Sequence, residues 1–463
     1  MSRIVAGVDS STQSVKVVLR DAESGAFVAQ TSRPHPDGTE VDPHEWKKAL
    51  NSAFDELSQH KIEAISIAGQ QHGMVALDGN GEVIRKALLW NDTRSSIEAE
   101  EVNQEFPDIH QRTGSRLVAS FTASKVRWLS KNEPDNARKV ASIALPHDWL
   151  SWQLTGAKSI DSLFTDRSDA SGTGYFDPRT NQYCGDILAF ALAGSGNVQL
   201  PTIAEHGVIA GNTSSGIPLA CGAGDNAGAA LGVGATVGDL VISLGTSGTA
   251  FVVSANGTHD ISGEVAGFAD ATGNFLPLAC TLNAAKVLAT ISKALNLDFE
   301  DFSSLALTAK PGSGGLRFLP HLDGERTPNR PDARGQFKGI THTNFTSENI
   351  ARSAIEGVIA GMVYAWRAVE RLGVTKERVI VIGGAAKNPA VQEIAASMFA
   401  SEIQIPEPGE YVADGAAKQA AWALLGLSNP PQWENSGTSE VQPQISAQNE
   451  EIVNSYMELI SSI

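Results

Sequence analysis

A single carboxylate, Asp225, stands in the run CGAGDNAGAALGVG, Cys221 to Gly234, which is otherwise almost wholly glycine, alanine and small apolar residues. Following a Gly-Ala-Gly turn and preceding a helical run, it is placed as a helix N-cap. A helix N-terminus favours the ionised carboxylate, which can then accept a proton at neutral pH, and the small neighbours let a ligand come close. Three other stretches combine glycine or small residues with hydroxyls and amides: DSSTQS from Asp9, GTSGT from Gly245 and GGAAKNP from Gly383. Backbone N–H groups freed by glycine and the hydroxyls of Ser and Thr donate to phosphate oxygens, so a nucleoside triphosphate is the ligand best suited to such turns. No G-x-x-x-x-G-K-[ST] occurs and no G-x-G-x-x-G follows the first strand, which excludes the P-loop and the dinucleotide fingerprint. Taken singly, each turn is more often a plain hairpin, and Asp9 alone reads as a turn-initiating residue.

The elements that must position these groups follow from periodicity. IVAGVDSSTQSVKVVLRD gives a buried-type strand, a hydroxyl-rich turn and a β-rich return, with AFVAQTS as a third strand. EVDPHEWKKALNSAFDELSQH carries apolar residues at helical spacing, and KIEAISIAGQQHGMVALD returns to strand, so the sheet is mixed α/β. VDSSTQSVKVV from Val8 and LGTSGTAFVV from Leu244 superpose as strand, turn and return strand, the second with one residue fewer in the turn. Such a repeat half a chain apart predicts duplicated domains with a seam in GATVGDL, Gly234 to Leu240. DNAGAALGVG closes the first half as a helix. In the second, NIARSAIEGVIAGMVYAWRAVERLG is a long amphipathic helix ending at Gly373, RVIVIGGAA a strand entering a glycine turn, and VQEIAASMFA a helix. DGAAKQAAWALLG from Asp414 reads as a helix packed through small residues, and the polar stretch from Asn429 as a loop before a short terminal helix.

At 463 residues the chain exceeds one core, so two domains of roughly 200 residues are expected. The net charge of −17, from 35 Lys+Arg against 52 Asp+Glu, repels phosphate backbones and anionic lipid, so neither nucleic acid nor membrane is an expected partner. Cys184, Cys221 and Cys280 lie far apart with no CxxC pair, as suits free thiols in a reducing cytoplasm. A start without a cationic and apolar leader, and no apolar run long enough for a bilayer, complete the expectation of a cytoplasmic protein.

Two long patterns, SFTASKVRWLSKN from Ser120 and GQFKGITHTNFTSENIARSAIE from Gly335, resemble the FGGY carbohydrate kinases, from Ile4 to about Leu425. The resemblance implies two duplicated ribonuclease-H-like domains of the actin and hexokinase type with a cleft between them: residues 1–233 for sugar and catalytic base, 238–426 for ATP, and a tail over 427–463. It implies ATP and Mg²⁺ as cofactors, a small-molecule sugar as substrate, and admits a homodimer. Asp225 corresponds to the catalytic base and also touches substrate. Asp9 corresponds to a catalytic residue that positions Mg²⁺ through water, since a carboxylate beside a triphosphate needs a hard cation between them. Ser11 and Thr12 share its turn on the nucleotide side, and Lys16 reaches toward phosphate or solvent. Gln71 and His72 match sugar-contacting positions, with Trp90, Asn91, Asp92 and Arg94 bordering the same cleft. Gly245 and Thr246 face the β- and γ-phosphates, and Gly384, Ala385 and Asn388 match the adenosine-side turn, with alanine where a third glycine is usual.

LLWNDTR, TDRSDASGTGYFD, GERTP and GQQHGMVALD look most like the D-xylulose-phosphorylating branch, although Gln71 replaces a frequent methionine. D-Ribulose, L-ribulose or another ketose or polyol are the alternatives. An actin-like ATPase switch and a silent sugar sensor are the rivals from other classes; GQQHG, SDASGT and Asp225 argue against the first, and the absence of a DNA-binding segment against the second.

Overall fold

The computed structural model describes residues 3–157, 159–194, 198–433 and 437–461. In the first half, β1 (Ile4–Ser10), β2 (Ser14–Asp21) and β3 (Phe27–Pro34) form an antiparallel meander. Helix α1 (Pro43–Glu56) starts where the Asp42 side chain accepts from the His44 N–H with Pro43 behind it, and carries the chain over to β4 (Ile62–Gly69), parallel to β1. Then come α2 (Pro146–Leu154), the one-turn α3 (Arg167–Ala170), β5 (Ile209–Asn212), β6 (Pro218–Ala220) and α4 (Asp225–Val233). The strand order is β5-β6-β4-β1-β2-β3. The apolar IVAGV run has the composition of a central strand, buried on both faces, and β1 occupies that place.

The second half repeats the scheme. β7 (Asp239–Leu244) and β8 (Gly248–Val252) form a hairpin, β9 (Ala266–Ala269) and β10 (Phe275–Thr281) extend it, and α5 (Ser347–Glu370) crosses to β11 (Arg378–Ile382), parallel to β7. α6 (Pro389–Phe399), β12 (Ile403–Pro406) and α7 (Tyr411–Leu425) follow. The two repeated hairpins turn through equal stretches, residues 11–13 and 245–247, so the one-residue difference expected from the sequence lies in where the strands end. The sheet order is β9-β10-β8-β7-β11-β12, continued by β13 (Thr438–Val441). A 15-residue helix, α8 (Ala447–Ser461), buries Ile452, Val453, Tyr456 and Ile460 in the second core. The stretch expected as a loop and short helix is thus partly a sheet strand; β13 is four residues of polar edge, too short for periodicity to reveal.

The halves meet at backbone distance. A Cβ on Gly415 of α7 would fall 1.8 Å from the Gly228 carbonyl of α4, one on Gly232 2.0 Å from Tyr411 O, and one on Gly7 of β1 1.9 Å from Ala413 O. Lys418 Nζ donates to Leu231 O at 3.1 Å, satisfying a carbonyl at the C-terminal end of α4. Gln419 Oε1 accepts from the Gly222 N–H at 2.9 Å while its Nε2 donates to Gly222 O at 2.8 Å. α7 therefore does more than pack: it hydrogen-bonds the loop that leads into Asp225. A second junction joins β9 to the first half, where Gly267 N–H donates to Gly114 O at 3.0 Å and Ala269 N–H to Ser171 Oγ at 3.1 Å. One apolar core accordingly holds Ala68 and Phe121 from the first half with Phe251, Phe268 and Leu278 from the second. No helix among the described residues is long and apolar enough to cross a membrane.

Alanine at 415 would gain helix propensity of about 1 kcal/mol but must displace backbone, so the clash dominates and Gly415→Ala should lose about 1–3 kcal/mol in urea unfolding. Gly79→Ala, whose Cβ meets nothing within 4 Å, should change stability by less than ~0.5 kcal/mol. A Gly415→Ala protein as stable as the parent would contradict the backbone contact.

Candidate active site

Strand register brings two carboxylates to one strand end. Ala68 of β4 lies between Asp9 of β1 and Ala223, and Gly69 lies between Ser10 and Gly224. Asp9 thus ends one flank of β4, and Asp225, the residue after Gly224, begins the other. Asp225 is the first helical residue, and the N-cap expected there is Gly224. Its Oδ1 accepts from Asn226 N–H and Asn226 Nδ2, each at 2.8 Å. The helix terminus does not keep its pKa low: burial, then the charge of Asp9, push the carboxyl up to about 7 against the Asn226 hydrogen bonds. Asp9 accepts from the Ser11 hydroxyl, and burial raises it to about 6 against that bond and the nearby Lys16 ammonium.

β4 runs straight into Gln71 and His72. His72 adopts a left-handed backbone (φ 66°), a strained conformation for a β-carbon residue. Its Nδ1 donates to Gly172 O at 2.6 Å, leaving Nε2 as the acceptor, and burial lowers its pKa to about 3, so the ring is neutral. The imidazole packs against Phe121 and Phe268, one from each half, with centroids at 4.8 and 5.5 Å. Gln71 Nε2 donates to Ser168 O at 3.3 Å. The segment SDASGT, expected on the sugar side, stands behind it: Ser168 Oγ accepts from Gly224 N–H at 3.0 Å, so one short helix braces Gln71, His72 and the approach to Asp225.

That helix is anchored electrostatically. Asp166 caps it by accepting from Ser168 and Asp169 N–H, and His147 of α2 holds Asp169 Oδ2 at 2.7 Å, with Asp148 at 3.3 Å and Asp166 at 3.7 Å. Burial alone would strip the imidazole of its proton, but the charges of Asp148, Asp169 and Asp166 raise it to about 10. The His147, Asp148 and Asp169 ligand atoms lie within 4.8 Å of one another, but Nδ1 is already committed to Asp169. Gly222 (φ 87°) is required here, since a Cβ would fall 2.3 Å from the His147 ring.

A cleft of about 800 Å³ gathers Ser11, Thr12, Gln71, His72, Trp90, Asn91 and Asp225 from the first half with Gly245, Thr246, Ser247 and Thr249 from the second. Trp90 Nε1 donates to Thr12 Oγ1 at 2.8 Å, tying the two walls of the first half. Asp92 and Arg94, expected at the cleft, instead pair with each other at 2.8 Å and with Thr39 and Glu40 away from it. A second groove of about 940 Å³ runs beside the cleft along Gly383, Gly384, Ala386 and Lys387, and Lys16 lines both. Lys16 Nζ donates to Glu410 Oε2 at 2.6 Å. Of the residues expected on the adenosine side, Gly384 lines this groove. Ala385 is buried, and Asn388 is turned inward as the α6 N-cap, its Oδ1 accepting from Val391 N–H and the Ser303 hydroxyl. The positive φ of the turn falls on Gly383 (97°), which is why alanine at 385 is compatible.

Sequence reasoning missed several cleft residues. Asn226 orients Asp225 and accepts from Thr249 Oγ1 at 3.4 Å, and Arg326 and Lys286 line the cleft from the second half. GERTP contained Arg326, but its place in the cleft wall comes from the fold. The facing carboxylates Asp9 and Asp225, raised by burial and, for Asp225, by its neighbour's charge, suit a hard divalent cation at the mouth of the glycine turns.

Residues 4–232 match the FGGY family of carbohydrate kinases, N-terminal domain, and residues 240–424 the C-terminal domain of that family. A xylulose kinase of Streptomyces rubiginosus is 40% identical over 441 residues, 91% of this chain and 88% of the relative. The xylulose kinase of Escherichia coli (strain K12) is 32% identical over 446 residues, 92% of this chain and 90% of its own. The crystal structure of xylulose kinase from Bifidobacterium adolescentis superposes with a TM-score of 0.89 at 40% identity, covering 99% of both chains.

The site is held against its own electrostatics. Between the ordinary carboxylate value of 3.8 and about 7, folded Asp225 keeps a proton that the unfolded chain releases, so its contribution to stability falls as pH rises through that window. Asp225→Asn should therefore raise the melting temperature more at pH 8 than at pH 4. An equal shift at both values would mean that the carboxyl is not raised.

Proposed function

Because the chain belongs to the FGGY family of carbohydrate kinases, we propose that it transfers the γ-phosphoryl group of ATP to D-xylulose, giving D-xylulose 5-phosphate. The observation that carries this reading is the placing of Asp225 in one cleft between Gln71, His72 and Trp90 on one side and the Gly245–Thr249 turn on the other. A ketose needs convergent groups that both donate and accept; neutral His72 offers Nε2 as acceptor, and Gln71 and Asn91 offer amides. Asp225, with a pKa near 7, is poised to take the proton of the attacking hydroxyl, which needs only a modest base when it is held in line with phosphorus. Asn226 fixes the carboxylate through two 2.8 Å bonds, so orientation is set before substrate arrives. Backbone and hydroxyl groups of Gly245, Thr246, Ser247 and Thr249 face the phosphates, with Ser11 and Thr12 across the cleft. Magnesium would be positioned by Asp9 through water and would supply the positive charge that offsets the triphosphate.

The test is a coupled ADP-release assay over pentuloses and polyols. D-Xylulose should give the highest kcat/KM, ahead of D-ribulose and L-ribulose; preference for another acceptor would reassign the sugar, and ATP turnover equally fast without sugar would favour an ATPase switch. Asp225→Ala should nearly abolish phosphorylation with melting and ATP binding retained. A rate within tenfold of the parent, ~1.4 kcal/mol of barrier, would remove Asp225 from the role of base.

A further inference from the structure

The GERTP stretch brings an unanswered cation into the cleft. Glu325 is 2% exposed, and its Oε1 accepts from the N–H groups of Leu282 at 2.8 Å and Arg326 at 2.7 Å, its Oε2 from Thr281 Oγ1 at 2.6 Å and Asn283 Nδ2 at 3.0 Å. The backbone of Arg326 is thereby fixed to the end of β10, and reciprocal Glu325–Arg330 backbone bonds of 2.8 Å close the turn around it. Lys16, Lys286 and Arg326 all line the cleft. Lys16 donates to Glu410 at 2.6 Å and Lys286 to Asp323 at 2.7 Å, whereas the half-buried Arg326 guanidinium has no hydrogen-bond or ion-pair partner among the described residues. A donor-only group left unpaired in a partly desolvated place calls for ligand oxygens.

Its position picks out the sugar side. Arg326 shares a small cavity with Phe121 and Cys280, and the Phe121 ring packs on His72 at 4.8 Å. His72 is held neutral first by burial, and the charges of Lys125 and Arg326 add to that effect. Lys125 is already committed to the carbonyls of Ala119 and Ser120, so Arg326 is the cation with donors to spare. Transfer to C5 then dictates which end of the sugar it meets. O5 is the ring oxygen of the furanose form, so the reacting molecule is the open chain with its C2 carbonyl free. With O5 at Asp225 beside the phosphate turns, C1 and C2 extend toward the other end of the pocket.

We infer that Arg326 reads the ketose end of the acceptor, its planar fork donating to the C2 carbonyl and C1 hydroxyl oxygens across the cleft from Gln71 and His72. The inference rests on the sugar-kinase reading above. It makes the second half a sugar-binding surface as well as a phosphate-binding one.

The experiment measures kcat and KM on the full chain with D-xylulose and with 1-deoxy-D-xylulose, which lacks the C1 hydroxyl. Arg326→Met should raise the D-xylulose KM by about 30-fold, the loss expected for hydrogen bonds to a charged group, with ATP KM and melting temperature close to the parent's. Arg326→Lys, which keeps the charge without the fork, should fall between. Removing the C1 hydroxyl should cost the parent about tenfold in kcat/KM and Arg326→Met less than about twofold, since the partner is already gone. An unchanged sugar KM in Arg326→Met, with Gln71→Ala still raising it, overturns the inference and leaves the sugar site intact. If Gln71→Ala also has no effect, the sugar pocket assigned above falls with it. An ATP KM that rises as much as the sugar KM overturns the inference, because the guanidinium would then serve phosphate. So does a C1-hydroxyl penalty equal in parent and Arg326→Met.

Discussion

The backbone contact of α7 with α4 and β1 is the constraint on which the rest of the molecule depends. Three glycines, Gly7, Gly232 and Gly415, each remove a Cβ that would fall within 2.0 Å of a facing carbonyl oxygen. A helix of the second half can therefore lie directly on the strand that carries Asp9 and the helix that begins with Asp225. Gln419 then fixes the Gly222 peptide by two hydrogen bonds, so the segment entering Asp225 is set from the opposite half. Alanine enrichment in α7 reflects the same geometry, because larger residues would push the helix out of bonding range.

On that frame the site is organised by burying charge. Asp9 and Asp225 flank one strand end and are pushed up to about 6 and 7, while four groups behind them, His147, Asp148, Asp166 and Asp169, form a buried ion cluster around one protonated imidazole. The cluster touches no cleft surface, yet it holds the short helix whose Ser168 braces Gln71 and Gly224. Removing one partner of such a cluster would leave an uncompensated charge, so it acts as a rigid support more than as a source of net stability. The strained His72 backbone is tolerated because Gly172, Phe121 and Phe268 fix the ring from three sides.

Much of this was legible in the sequence, and the reasons differ by residue. The duplicated hairpins from Val8 and Leu244, the α4 and α5 helices and the β11 strand were readable because their apolar periodicity is strong and local. Asp225, Gln71, His72, Trp90, Gly245 and Thr246 line one cleft, and Asp9 stands on the strand flanking Ala68 beside it. Asp92 and Arg94 were expected at the cleft beside Trp90, and Ala385 and Asn388 by their match to the family's adenosine-side turn, but a strand or helix end turns neighbouring side chains in different directions. The raised pKa of Asp225 was not legible either, since it comes first from burial and then from the charge of Asp9, over two hundred residues away in the chain and brought close by register. The His147 cluster and the tail strand depend wholly on long-range packing.

In the proposed reaction a sugar hydroxyl and the terminal phosphate of the donor meet at Asp225. A crystal structure with D-xylulose and a non-hydrolysable ATP analogue measures this directly. The predicted result has a sugar hydroxyl within about 3 Å of the Asp225 carboxylate, the sugar against Gln71 and His72, and the terminal phosphate beside Thr246 facing that hydroxyl. A sugar bound with no hydroxyl near Asp225, or a triphosphate whose terminal group points away from the cleft, would contradict it.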